Sequence, residues 1–175
     1  MKNFSVLALN LLIILSLAAF TRSDNKPFPV IKGSNLNEKL MTLPDDARGK
    51  FGIVAMVFSL KAETDLIPWM DPINKTIMGN IMFAANVYFV PMTGAIKGVN
   101  ADMVKKKLKE SMDTSLYKYV LLYNGPTEDI IKQLHVTDRE EPYFFVIDPR
   151  GKLTYTTSGK YTADKLEEIT DKISE

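Results

Sequence analysis

The chain has 175 residues, 46% hydrophobic and 25% charged, with a formal charge of +1 and no cysteine. That length favours one domain, and the balance is that of an ordinary globular protein with a well-buried core. Near-neutral charge gives no electrostatic reason to expect nucleic acid or an anionic membrane as partner, and the lack of cysteine excludes disulfides and a lipid-modified cysteine anchor.

Residues 1–23 read as an export signal. Lys2 supplies a basic start, the apolar run FSVLALNLLIILSLAAF follows, and Ser16, Ala18 and Ala19 are small residues before a polar exit. The run is at the short edge for a membrane span, so an uncleaved anchor is the alternative. Removing residues 1–23 takes away Lys2 and Arg22 and no acid, leaving 20 bases against 21 acids, a charge near −1. No membrane contact is expected beyond this segment.

Residues 24–48 carry Pro, Gly and Asn punctuation and suit an N-terminal extension with one or two short strands or a hairpin. The continuous apolar run at 51–60 predicts a strand buried on both faces. Over 62–82, Leu66, Met70, Ile73, Ile77 and Ile81 recur at helical spacing, with Pro68 and Pro72 predicting a kink or a late start. A strand is expected at 86–94. Asn100 caps a predicted helix to about Met112, with Val104, Leu108 and Met112 on one face. Residues 117–123 read as strand, and Pro126 as the first residue of the next helix. Strands at 143–148 and 152–159 flank Asp148-Pro149-Arg150-Gly151, which predicts an antiparallel hairpin. Thr162 caps a last helix with Leu166, Ile169 and Ile173 inward.

This order, with its particular residues, resembles the thioredoxin fold in its extended form, as in peroxiredoxins and exported thiol-disulfide proteins of the TlpA and ResA type. RGKFGIVAMVFS, the kinked helix after it, the additional helix at 100–112 and LHVTDREEPYFFVIDPRGKL carry the likeness, over about residues 49–175. FPVIKGSNLNEKLMTLPDDARGK is similar to the leader of that group. FS-x-x-A and Trp69 also resemble thioredoxin-like assembly factors of the mitochondrial ATP synthase. The fold implied is an α/β, three-layer α/β/α sandwich whose mixed central sheet ends in an antiparallel hairpin. The resulting division is 1–23 signal, 24–48 extension and 49–175 thioredoxin-like domain.

In that family the redox cysteines sit where a helix N-terminus favours a thiolate. The matching window here is Lys61, Ala62, Glu63, Thr64, Asp65 and Leu66, and none of these can form a disulfide. Pro142, after Glu141, matches the family's cis-proline. The resemblance implies that this proline turn leaves a backbone group free to pair with an extended partner chain, a capacity independent of sulfur.

Other features have plain explanations. Glu63, Thr64 and Asp65 suit a helix start, and a carboxylate held low there is a poor base near neutral pH. His135 is the sole histidine, sits near a helix end, and has Asp138 or Glu140 as its nearest candidates for an orienting acid. The methionines follow the apolar stripes as core filling. Lys105, Lys106, Lys107 and Lys109 read as a solvated face. Asn74-Lys75-Thr76 matches a glycosylation sequon inside a predicted helix, a weak signal. Trp69 is expected at the base of the kinked helix, or beside the groove as a partner anchor.

The resulting expectation is an exported protein of the periplasm or cell envelope, without thiol-redox activity, cofactor or metal. It recognises an extended protein or peptide in a groove formed by residues 61–66, Trp69, Glu141 and Pro142. Two alternatives stand beside it: an enzyme with acid-base chemistry at Glu63, Asp65 or His135, and a structural subunit of an envelope complex.

Overall fold

The computed structural model describes residues 26–80, 82–96 and 98–174. The expected signal at 1–23 and Ile81 of the helical stripe lie outside the described residues. Two strands, β1 (Ile31–Asn35) and β2 (Leu40–Leu43), form an antiparallel pair, and β1 also pairs antiparallel with β5 (Leu121–Leu122). A second sheet runs β4 (Ala85–Pro91), β3 (Phe51–Val57), β6 (Tyr143–Ile147), β7 (Leu153–Ser158). In it β3 and β4 are parallel, while β3–β6 and β6–β7 are antiparallel. Parallel bridges at Phe89–Val120 and Met92–Tyr123 join the two sheets. The helices are α1 (Leu60–Ile73), α2 (Ala101–Ser111), α3 (Glu128–Gln133) and α4 (Ala163–Ser174). This is the expected three-layer α/β/α arrangement with a mixed sheet and a C-terminal antiparallel hairpin.

Alternation along the central strands divides the core in two. Val54 and Met56 of β3, Tyr88 and Val90 of β4, and Tyr143, Phe145 and Ile147 of β6 face one cluster, shared with the β1–β2 pair and α3. Ile53, Ala55, Val87, Phe89, Phe144 and Val146 face the other, closed by Trp69 and Ile73 of α1 and by Leu166, Ile169 and Ile173 of α4. Burial of each large apolar side chain here contributes about 1.5–3 kcal/mol. Both faces are covered, which is why 51–57 reads as unbroken apolar sequence.

The predicted second element starts early, at Leu60, and keeps its prolines inside the helix. Pro68 and Pro72 both lie inside α1, each removing a backbone donor. The chain then widens into a π turn over Asn74–Met78, closed by Gly79 N–H to Asn74 O at 2.9 Å. At the hairpin, Asp148 Oδ1 accepts from the N–H groups of Arg150 and Lys152, both at 2.9 Å. Gly151 there has φ +83°, open to glycine at little cost.

Several expectations need correction. The first core strand ends at Val57, because Ser59 turns outward and caps α1. The segment 117–123 contributes only Leu121–Leu122 to a strand. Asp113 accepts from Ser115 N–H at 2.8 Å and starts a 3₁₀ turn over Thr114–Tyr119. Pro126 precedes its helix instead of opening it: Tyr123 Oη donates to Pro126 O at 2.8 Å, and Thr127 is the N-cap. The stripe Val104, Leu108, Met112 exists, but no residue of α2 is buried. Met82 and Met103 are 86% and 71% exposed, so core filling does not account for them.

The Glu141–Pro142 peptide is trans; among the described residues the cis peptide is at Leu43–Pro44. Trans is the intrinsically favoured isomer. The loop before Pro142 is fixed by other means, since the Thr137 and Asp138 N–H groups both donate to Tyr143 Oη at 3.1 Å.

Candidate functional site

The β3–α1 junction is built by Ser59. Its backbone is extended (φ −149°, ψ 166°) and its Oγ accepts from Ala62 N–H at 3.1 Å, satisfying one orphan donor of the first turn. Parallel β3 and β4 end at this edge of the sheet, and antiparallel β6 begins there. Outside the carboxyl ends of parallel strands is the usual ligand position in open α/β sheets.

Lys61 joins the pieces. Its Nζ donates to Asp65 Oδ2 at 2.9 Å, one helical turn on, and to Glu140 O at 3.2 Å. The hydrogen bond from Lys61, with its charge, holds the Asp65 carboxyl below the usual aspartate range. The same bond holds the Lys61 ammonium above the usual lysine range. Glu63 Oε1 accepts from Lys107 Nζ of α2 at 3.1 Å, and Thr64 Oγ1 donates back to Leu60 O at 3.1 Å. Underneath, Phe58 meets Tyr143 edge-on with ring centroids 6.3 Å apart.

Glu141 and Pro142 stand between that helix start and the end of β7. Glu141 Oε2 accepts from Ser158 Oγ at 3.1 Å, and Pro142 O accepts from Gly159 N–H at 2.9 Å. Arg139 and Glu140 form a tight turn that folds the Glu141 N–H back toward Asp138. Among the described residues no hydrogen bond reaches the Glu141 C=O, so the segment before Pro142 offers one acceptor in spite of the trans bond.

The sequence-derived set divides accordingly. Lys61, Glu63, Thr64, Asp65 and Glu141 reach the surface at this edge, while Ala62 and Pro142 are buried beneath it. Trp69 belongs to the core and not to the groove, a correction to its possible role as a partner anchor. It is 0% exposed, stacks at 4.0 Å on Phe144 and donates its indole N–H to Gly159 O at 3.1 Å. Ser59, Glu140, Tyr143 and Gly159 complete the site; the sequence pointed to Glu140 only as a partner for His135, and to the others not at all. Ser59 was readable as a cap before Glu63; the other three contact partners too remote in sequence.

His135 lies elsewhere. It follows α3 with φ +54°, and Val136 N–H closes on Ile131 O at 2.9 Å, so it fills the left-handed position of a helix end. Asp138 accepts from Glu140 N–H at 2.8 Å instead of orienting the imidazole. Among the described residues, no three His, Asp or Glu side chains gather as a metal site, and no helix is long and apolar enough to cross a membrane.

The family model for ATP10 protein matches residues 14–175. The chain belongs to the ATP10 protein family. Among curated proteins nothing matches. Solved structures establish the fold as thioredoxin-like. The thioredoxin domain of a thiol-disulfide oxidoreductase from Bacteroides vulgatus is 18% identical, covers 87% of this chain and 98% of its own, and has a TM-score of 0.63. An exposed lipoprotein thioredoxin from Streptococcus pneumoniae is 22% identical over 82% and 99%, at 0.57. BsSco, of the Sco family of cytochrome c oxidase assembly proteins, is 13% identical over 87% and 95%, at 0.61. This family member keeps that scaffold with no cysteine to carry thiol-disulfide exchange.

Proposed function

We propose that this ATP10-family protein is a binding module that acts in assembly, recognising an extended polypeptide at the edge formed by Lys61–Leu66 and Glu140–Pro142. The observation that carries the reading is the 3.2 Å contact from Lys61 Nζ to Glu140 O. It sets the start of α1 against a segment whose Glu141 carbonyl is unengaged among the described residues. A partner strand would gain affinity from that carbonyl and specificity from the side chains around it. The likeness to ATP synthase assembly factors and the fold shared with BsSco support an assembly role over catalysis.

The reading of residues 1–23 as an export signal or anchor supports action outside the cytoplasm, in the periplasm or cell envelope. The exposed lipoprotein among the structural neighbours is consistent with that.

Site-specific photocrosslinking tests the function. A photoreactive side chain at Lys61 or Glu140 of the full chain, irradiated in its native membranes, should capture one discrete protein. The same group at Glu167, on the exposed side of α4, should not. Equal capture at all three positions overturns the reading.

A further inference from the structure

Helix α2 stands apart from the rest of the fold. None of its residues is buried; Leu108, together with the C-cap residue Met112, packs against the second core cluster. An eleven-residue helix is too short to persist in water unaided. Polar contacts to other elements add to that limited apolar packing.

Those contacts are ionic and cross between elements. Lys105 Nζ and Lys109 Nζ converge on Glu38 Oε1, in the β1–β2 turn, at 2.9 and 3.5 Å. Lys107 Nζ reaches Glu63 Oε1 in the first turn of α1 at 3.1 Å. The side chains of Lys105, Lys109 and Glu63 are 30%, 35% and 34% exposed, while their partners Glu38 and Lys107 are 66% and 72% exposed, so each pair is half open to salt. Tyr117 Oη adds one neutral tie to Lys109 O at 2.5 Å. The other ion pair of the helix, Lys106–Glu110 at 3.9 Å, stays within it.

We propose that α2 is an electrostatically latched cover, held over the second core cluster by Lys105 and Lys109 on Glu38 and by Lys107 on Glu63, and released locally as ionic strength rises. Release needs no disruption of the sheet, because no side chain of α2 is buried in the core. It frees the patch that Leu108 and Met112 cover, and it unties Glu63 beside the proposed binding edge.

Native-state amide exchange of the full chain tests it at about 0.01 M and about 1 M salt, where the screening length falls from about 30 to about 3 Å. Amides of 104–112 should exchange about three- to tenfold faster at high salt, given what exposed pairs contribute. Those of β3 and β6 should not change. The double variant Glu38→Gln, Glu63→Gln should exchange fast already at low salt and lose the salt response. Glu110→Gln, which breaks only the pair within the helix, should keep it. Salt-independent protection of α2, or equal acceleration of helix and sheet, overturns the latch. A normal salt response in a protein that binds no peptide contradicts the binding function instead and leaves the latch standing.

Discussion

The indole N–H of Trp69 in α1 donates to the carbonyl oxygen of Gly159, ninety residues later, at 3.1 Å. Gly159 in turn donates its own N–H to Pro142 O at 2.9 Å. One glycine therefore ties the helix that starts the candidate site to the loop that completes it. Its φ of +91° is open to glycine and costly for other residues.

Gly159→Ala should destabilise the fold by about 1–2 kcal/mol through that backbone conformation. The new Cβ would also lie 3.2 Å from Lys165 Nζ and 3.3 Å from Glu141 Oε2. Trp69→Phe removes the buried donor and leaves the Gly159 carbonyl unpaired, at about 1–3 kcal/mol. Denaturant melts measure both; an unchanged midpoint for either contradicts the tie.

Tyr143→Phe should cost about 1–3 kcal/mol, because the Thr137 and Asp138 N–H groups lose their shared acceptor. The loop before Pro142 should also loosen, so amides 137–142 should exchange faster than those of β6. Uniform acceleration across both would show that the hydroxyl does not hold the loop.

His135→Gly should stabilise the protein by about 1 kcal/mol, since position 135 is in the left-handed region at φ +54°. Thermal denaturation reads this directly. A loss of stability would mean that the imidazole makes a contact worth more than the backbone relief.

The Lys61–Asp65 pair sets a pH dependence. Asp65 titrates below the usual aspartate range because of its hydrogen bond to Lys61. The pair's contribution is thus complete above the ordinary aspartate value and is lost as pH falls through the lowered one. Lys61 is raised, so at the alkaline end the contribution is complete below the ordinary lysine value and is lost as pH rises through the raised one. An NMR titration of the Asp65 carboxyl should give a low midpoint that moves up in Lys61→Met. A midpoint indifferent to that substitution contradicts the pairing.

Local signals proved readable where the chain satisfies itself nearby. The Asp148–Gly151 turn, the Asn100 cap and the inward stripe of α4 each depend on neighbours within a few residues, and each stands as expected. Periodicity identified the apolar face of α2 but not how little would cover it, since coverage depends on what the rest of the fold leaves open. The 3₁₀ turn at 114–119 was hidden because Asp113, a short-range cap, outweighs the β-forming residues after it. The peptide isomer at Pro142 followed local preference, which favours trans, and not the resemblance, which implied cis. The partners of Trp69, Lys61 and Glu63 lie tens of residues away and became visible only in the fold.

The most direct test of the binding edge is an amide NMR titration of the protein with a panel of unstructured apolar and polar peptides. The account predicts shifts concentrated at Lys61–Leu66 and at the amides of Glu140, Glu141 and Tyr143. Shifts confined to the α4 face, or none with any peptide, would contradict it.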